Sequence, residues 1–290
     1  MCVIWGIPYL LIRISVSELA PVTLVFLRTG LAAVILMPVV LARDGLRGVG
    51  RRWPAIAAFA AVEVGIPWLM LSSAEQHISS ALAGLLVSAV PLVGVVIATG
   101  LGNREHLGLA SLSGLLIGLV GVAAIVGLDL RASNAVAVVQ MGVVAIAYAV
   151  GPVILARYLN GVPSVTVIGV ALTMCAIAYA PAAALNWPHA LPHVDVLVSI
   201  AVLAVLCTAA AFLLFFALIA EIGPVRATVI TYVNPAVAAV LGLLVLRENL
   251  TAGMAAGFVL VLAGSVLATR RRAAPVVETP SRRTSEALTR

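Results

Sequence analysis

The chain has 290 residues, of which 63% are hydrophobic and 10% are charged. Soluble domains carry about 25% charged residues, so this composition excludes an ordinary soluble protein and predicts an all-α integral membrane protein that spans the bilayer several times. The formal net charge is +6, and all 17 basic residues are arginine. Most of them lie in short loops and in the C-terminal tail, so we attribute the charge to membrane orientation and expect no nucleic-acid partner.

Cysteine and histidine residues do not form a cluster in the sequence. The three cysteines fall in separate apolar segments, and the four histidines fall in predicted connections. This spacing fits neither a disulfide framework nor a metal or haem site. We therefore expect no cofactor and no bound metal.

Ten apolar segments follow one another along the chain. Most are about 20 residues long, the length of a helix that crosses the hydrocarbon core. Their ranges are 1–17, 20–42, 54–73, 79–101, 107–128, 134–156, 162–185, 196–220, 226–246 and 251–269. The first has only twelve uncharged residues before Arg13, and we expect the true start codon to lie upstream.

The distribution of arginine residues predicts the orientation in the membrane. If the N-terminus is inside, thirteen arginines fall in cytoplasmic loops and the tail, and only Arg131 and Arg247 fall in outside loops. This bias predicts that both termini are cytoplasmic, in the cell (plasma or inner) membrane. Residues 270–290 are polar and are expected to form a disordered cytoplasmic tail.

The tetrapeptide REHL at 104–107 returns as RENL at 247–250, 143 residues later. Its surroundings return as well, since each copy follows an Ala-x7-Pro element and precedes two glycines. The repeated residues are Ala83, Pro91, Glu105, Gly114 and Gly121 in the first half and Ala227, Pro235, Glu248, Gly257 and Gly264 in the second. We interpret them as two repeats, 1–128 and 134–269, each with five spans. Because five is odd, the second repeat inserts upside down, which is the inverted-topology arrangement of secondary transporters.

The repeated residues of the two halves resemble the EamA family of the drug/metabolite transporter superfamily. Trp5-Gly6 in the first segment and Pro21 with Arg28 in the second are part of the same resemblance. The resemblance covers almost the whole chain to about residue 269. It implies ten helices, two EamA units and movement of small metabolites through a central cavity. The first repeat departs from the second by one extra residue between Pro91 and Glu105.

Two charged residues are predicted to lie deep in the membrane. Arg28 lies about 10 Å from the outer surface, and Glu63 lies about 15 Å deep, at 1.5 Å per helical residue. A charge at that depth faces protein or water. Arg28 is therefore a candidate to attract an anionic substrate group, and Glu63 is a candidate proton carrier. The alternative is a structural role, either as a permanent Arg28–Glu63 ion pair or as an arginine that snorkels to the surface.

Aromatic residues and prolines supply the remaining candidates. Trp5, Tyr148 and Tyr232 are candidates for the cavity wall, although aromatic residues also anchor helices at the membrane interface. Asn234 adjoins Pro235, and both Pro235 and Pro91 remove a backbone hydrogen bond. Kinks at matching places in the two halves indicate a central site, and the alternative is that they only shape helix packing.

The repeat motifs are assigned to structure rather than to substrate contact. Glu105 and Glu248 are expected to cap a helix or lock a loop, since each precedes a helix N-terminus. The glycine pairs Gly114/Gly118 and Gly253/Gly257 permit close helix packing, within the chain or across a homodimer.

We therefore expect a secondary transporter that exports small metabolites, amino acids or drug-like compounds by alternating access, with protons as a candidate coupling ion. The alternatives are a passive channel or an uptake permease. An intramembrane enzyme is disfavoured because no metal ligands or paired carboxylates lie at depth.

Overall fold

The computed structural model describes residues 1–43, 45–100, 109–127, 132–222 and 230–269, and every regular element within these ranges is a helix. The helices are α1 Cys2–Ser15, α2 Pro21–Arg43, α3 Val49–Phe59, α4 Ile66–Ala74, α5 Ser80–Val87, α6 Val90–Gly100, α7 Leu109–Val126, α8 Ala132–Tyr158, α9 Ser164–Leu185, α10 Val194–Ala204, α11 Ala211–Ile222, α12 Ile230–Val245 and α13 Ala252–Thr269. Two π-helical segments join helices end to end: Ala60–Gly65 links α3 to α4, and Val205–Ala210 links α10 to α11. Glu105 and the tail 270–290 lie outside the described residues, as does the side chain of Tyr232.

The described helices are long and apolar enough for a membrane protein. Seven could cross a bilayer: Pro21–Arg43, Val49–Ala74, Ser80–Ile97, Ala135–Tyr158, Ser164–Leu185, Val194–Glu221 and Ala252–Thr269. Three shorter apolar helices accompany them: Cys2–Ser15, Ser111–Val126 and Val233–Val245. Large apolar side chains such as Val34 and Ile177 point outward, as expected where lipid is the solvent. The predicted all-α architecture is confirmed for the described residues, and the helices are consistent with a membrane protein that spans the bilayer several times.

The two halves of the chain pack against each other along most of their length. Helix α1 packs on α10 and α12, α2 on α9, α4 on α8, α5 on α12, and α7 on α13. Each pair joins an element before residue 128 to one after residue 131. The buried core therefore lies between the halves, in two hydrophobic clusters that contain, for example, Leu24 and Leu203 in one and Leu36 and Leu172 in the other.

Helices α7 and α13 meet backbone to backbone. A Cβ atom added to Gly121 would lie 2.7 Å from the carbonyl oxygen of Gly257, and one added to Gly114 would lie 2.7 Å from that of Gly264. Real Cβ atoms do not approach so closely, so only glycine fits at these positions. The structure thus uses the repeated glycines for packing within the chain.

Several loops lie at two ends of the molecule. The first, which we call the Glu248 end, contains residues 16–20, 75–79, 186–193 and 246–251, which hydrogen bonds connect to one another and to α1 and α5. The second, which we call the Arg52 end, contains residues 45–52 and 159–163, where Arg52 donates a hydrogen bond to the carbonyl oxygen of Tyr158 at 2.8 Å.

Candidate functional site

Arg28 lies buried in the core between the halves, with 5% of its surface exposed. Its Nε donates a hydrogen bond to Oγ1 of Thr208 at 3.0 Å. Its guanidinium carbon lies 3.7 Å from the centre of the Trp68 ring, a geometry in which the aromatic face stabilises the cation. Arg28 of α2 is therefore held by α4 from the first half and by the second π-helical segment from the other half.

Arg28 and Glu63 do not form an ion pair in the structure. Among the described residues, the only side-chain ion pair within 4.0 Å joins Glu18 to His193. Thr208 and Trp68 hold the Arg28 guanidinium in place of a carboxylate. The sequence allowed a permanent Arg28–Glu63 ion pair as an alternative, and that ion pair is not formed in this structure.

Glu63 lies in the first π-helical segment, against α8. A Cβ atom at Gly151 would collide with its carboxylate, so the glycine makes room for the acid. Oε2 of Glu63 is buried and has no hydrogen-bond partner among the described residues. An ionised carboxylate in such a place costs several kcal/mol, and burial therefore favours the protonated form.

The two π-helical segments occupy matching places in the two halves. They begin at residues 60 and 205, an offset close to the 143 and 144 residues that separate the repeated motifs. Thr208 Oγ1 donates to the carbonyl oxygen of Leu203, five residues earlier, at 2.8 Å. Such π-bulges are rare and are often found at functional sites. They place Glu63 and Thr208 in equivalent positions of their respective halves.

Further aromatic side chains lie in the region between the halves. Trp5 of α1 packs against α11, with its ring centre 4.7 Å from that of Phe215 and 5.8 Å from that of Phe212. Tyr148 contacts both hydrophobic clusters and lies within electrostatic range of Arg28. Trp5 and Tyr148 are thus brought to the region between the halves, whereas the two phenylalanines and Thr208 were not anticipated from the sequence.

The two repeated prolines occupy different local structures. Pro91 lies in the first turn of α6, after a two-residue turn that follows α5, inside the candidate span Ser80–Ile97. Pro235 lies inside α12, which continues past it. Close by, a Cβ at Gly6 would lie 3.1 Å from the carbonyl oxygen of Asn234. Asn234 is therefore placed where α1 packs tightly on α12.

Glu248 caps the N-terminus of α5, a helix in the other half of the chain. Its Oε1 accepts from the backbone N–H of Ser80 at 2.8 Å, and its Oε2 accepts from the backbone N–H of Ala81 at 2.9 Å and from Oγ of Ser80 at 3.0 Å. The next N–H, that of Leu82, bonds to Oγ of Ser79 at 3.1 Å. A carboxylate at this position satisfies unpaired N–H groups and the helix dipole. The sequence indicated a cap, but at the helix that follows Glu248.

The turn at the end of α12 positions the Glu248 carboxylate at the N-terminus of α5. The backbone N–H of Glu248 bonds to the carbonyl oxygen of Gly242 at 3.1 Å, while Arg247 adopts a left-handed conformation with φ of 54°. This left-handed residue turns the chain at the end of α12, and because it is not glycine it does so at some cost in strain. A Cβ at Gly242 would collide with the Glu248 carboxylate, so glycine is needed there for the acid to fit.

A second acid, Glu75, lies at the Glu248 end and was not singled out from the sequence. It follows directly after α4 and is completely buried, and neither carboxylate oxygen has a hydrogen-bond partner among the described residues. The guanidinium of Arg13 donates to the backbone carbonyl of Glu75, which ties α1 to the end of α4. An acid at the edge of an apolar segment resembles an ordinary loop residue, which is why the pattern did not reveal it.

Two further contacts at the Glu248 end connect the loop after α1 and the first turn of α2 to the loop 186–193. Glu18 accepts hydrogen bonds from the backbone N–H of His193 at 2.9 Å and pairs with its Nδ1 at 2.6 Å. The backbone hydrogen bond from His193 lowers the pKa of Glu18 below its usual value. Nearby, Thr23 donates to the carbonyl oxygen of Asn186 at 3.1 Å.

Known proteins share both the sequence pattern and the fold. The profile of the EamA-like transporter family matches residues 1–127 and 136–270. An uncharacterized transporter from Archaeoglobus fulgidus is 25% identical over 270 residues, which cover 92% of this chain and 95% of that protein. A protein of known crystal structure superposes with a TM-score of 0.66 at 22% identity, covering 92% of this chain and 93% of the other.

Proposed function

The chain belongs to the EamA-like transporter family and is a membrane transporter, and on that premise we propose that it is a secondary transporter that exports small metabolites, amino acids or drug-like compounds by alternating access. In this proposal the two matched segments form two five-helix repeats of inverted topology, giving ten spans with both termini in the cytoplasm. The Glu248 end then faces outward.

The observation that carries this proposal is the position of Arg28. A buried guanidinium lies between the two halves, has no carboxylate partner among the described residues, and makes contacts with both halves. The described contacts are one cation–π contact and one hydrogen bond, and a guanidinium has five N–H donors, so it has the capacity to bind an anionic ligand group as well. A relative movement of the halves would change these contacts, which is what an alternating-access site requires.

The test of the site is ligand-dependent thermal stabilisation of the purified protein. A panel of amino acids, nucleosides, sugars and cationic drugs is screened against wild type and Arg28→Gln. A ligand at one hundred times its Kd stabilises by about 2.7 kcal/mol. We expect a compound with an anionic group to stabilise the wild type and not the variant.

Arg52→Gln is the matched control, because the hydrogen bond that Arg52 makes within the described residues is to the Tyr158 carbonyl, at the far end of the molecule. It should keep the full ligand response. If Arg28→Gln keeps the response as well, Arg28 is a structural residue, and the site has to be sought near Trp5, Tyr148 and Asn234.

We propose that Glu63 carries the coupling proton. The support is a buried carboxylate oxygen that has no hydrogen-bond partner among the described residues, at a π-bulge, next to a glycine that makes room for it. In proteoliposomes, Glu63→Gln should lose the pH dependence of substrate transport. Unchanged pH dependence in this variant would refute the assignment.

Substrate counterflow separates this proposal from a passive channel and from an uptake permease. Unlabelled substrate inside proteoliposomes should drive accumulation of labelled substrate against its gradient, which a channel cannot do. Applying a pH gradient in each direction then distinguishes export from uptake.

A further inference from the structure

The completely buried carboxylate of Glu75 is the most unusual polar group that the proposed site does not use. Its side chain is 0% exposed, and both of its oxygens lack a hydrogen-bond partner among the described residues. Glu63, by comparison, is only partly buried and has one such oxygen. Glu75 therefore has a stronger physical reason than Glu63 to be neutral in this state.

Groups on several elements face Glu75. Helix α1 contributes Tyr9 and Arg13, α2 contributes Arg28, and the connection after α12 contributes Glu248. On α8, Tyr148 interacts electrostatically with Tyr9, and the amide of the uncharged Gln140 donates to Oγ of Ser73, two residues before Glu75, at 3.0 Å. The two arginines favour a charged Glu75, whereas burial and Glu248 oppose it. No arginine hydrogen bond reaches its carboxylate in the described part of the chain, so burial prevails.

Glu248 connects the charge of Glu75 to the conformation of the Glu248 end. Its carboxylate accepts two backbone N–H bonds at the N-terminus of α5, where the helix dipole favours a negative charge. A negative charge on Glu75 would repel the Glu248 carboxylate, because like charges in a buried site disfavour each other. Docking of Glu248 on α5 and ionisation of Glu75 therefore oppose one another.

We propose that Glu75 is a proton-binding site, distinct from Glu63, that must be occupied for Glu248 to dock on α5 and close the Glu248 end. Proton release from Glu75 introduces the charge that detaches Glu248 and separates α5 from α12. The proposal extends the transport function above, since it assigns a protonation event to the closing of one end.

Hydrogen–deuterium exchange at the N-terminus of α5 tests this directly. The N–H groups of Ser80 and Ala81 are protected by the Glu248 carboxylate. After correction for the intrinsic effect of pH on exchange, wild-type protection at these two amides should fall by about tenfold for each pH unit above the titration of Glu75. Glu75→Gln, which remains neutral, should keep the protection across the whole pH series.

Two variants control the readout. Glu248→Gln should lose the protection at every pH, which establishes that the signal reports the docked carboxylate. Glu18→Gln removes an exposed acid from the same end of the molecule and should keep the wild-type pH dependence.

Protection that is independent of pH in the wild type would overturn the proposal, and this result does not depend on any variant folding. Equal pH dependence in wild type and Glu75→Gln would overturn it as well. Neither measurement involves a substrate or transport. Failure of the Glu75 proposal is therefore distinguishable from failure of the proposed transport function, which is tested by the ligand screen and by Glu63→Gln.

Discussion

The two π-helical segments have the same length and equivalent places in the two halves, yet their polar residues are used differently. In the second, the hydroxyl of Thr208 is fully engaged, since it donates to Leu203 and accepts from Arg28. In the first, the carboxylate of Glu63 retains a buried oxygen without a hydrogen-bond partner in the described part of the chain. Duplicated local geometry thus provides one hydrogen-bonded hydroxyl and one unsatisfied acid. Only the acid can change its charge by binding or releasing a proton.

The surroundings of the segments explain how both are accommodated. The first segment packs on α8 and α9, where Gly151 leaves space for a carboxylate and the thiol of Cys175 donates to the carbonyl of Ala60 at 3.3 Å. The second packs on α2, where Arg28 supplies a charged donor. The difference between the segments therefore comes from their neighbours as much as from their own sequences.

The largest effect is expected from filling the space beside Glu63. Gly151→Leu would force the Glu63 carboxylate out of its position against α8, and we expect a loss of about 1–3 kcal/mol of stability, as for overpacked cores. Gly142→Leu on the same helix is the control, because a Cβ at Gly142 meets nothing within 4 Å. Thermal unfolding in detergent measures both. Equal melting temperatures for the two variants would contradict the placement of Glu63.

The second segment is tested by Thr208→Val, which keeps the shape and removes the acceptor for Arg28. A buried charged donor left without its partner costs about 1–3 kcal/mol. Thr29→Val is the control: Thr29 is equally buried, but its hydroxyl bonds only within its own helix, to Val25 at 2.7 Å and Phe26 at 3.1 Å. Denaturant titrations measure the free energy of unfolding of both variants. Equal losses of stability would contradict a specific role of Thr208 in holding Arg28.

A smaller effect is expected from Trp68→Phe, which weakens the aromatic face beneath Arg28. We expect a loss of about 0.5–2 kcal/mol beyond the loss of buried area. The cation–π part should disappear in an Arg28→Met background, so a double-mutant cycle isolates it. A coupling energy of zero would show that Trp68 only packs against the guanidinium.

The smallest effect is expected from Glu18→Gln, which removes a contact far from both segments. Because the folded protein lowers the pKa of Glu18, the contribution of this residue is present above its unfolded pKa and is lost as the pH falls through its folded pKa. Wild type should therefore exceed the variant slightly in melting temperature at neutral pH, and the two should converge in acid. A difference in melting temperature that grows as the pH falls would contradict the lowered pKa of Glu18.

Composition and periodicity predicted the helical membrane fold because hydrophobic length is a property of local sequence. The repeat of Glu105 and Glu248 likewise indicated capping residues, and the structure places Glu248 on Ser80 and Ala81. Which helix it caps was not predictable, since that depends on how the halves pack. The partner of Arg28 was missed for the same reason: depth along two helices suggested Glu63, whereas the rotation of α2 directs the guanidinium to Thr208.

The contact between the glycine-lined faces of α7 and α13 has a consequence for the synthesis of the chain. Helix α7 ends at Val126, and α13 begins only at Ala252. At about 5–20 residues per second, α7 leaves the ribosome roughly 6–25 s before its partner. During that interval its small-residue face is covered by lipid or by another protein rather than by the helix it finally contacts. The contact between these two faces therefore forms late in synthesis, when α13 replaces that temporary neighbour.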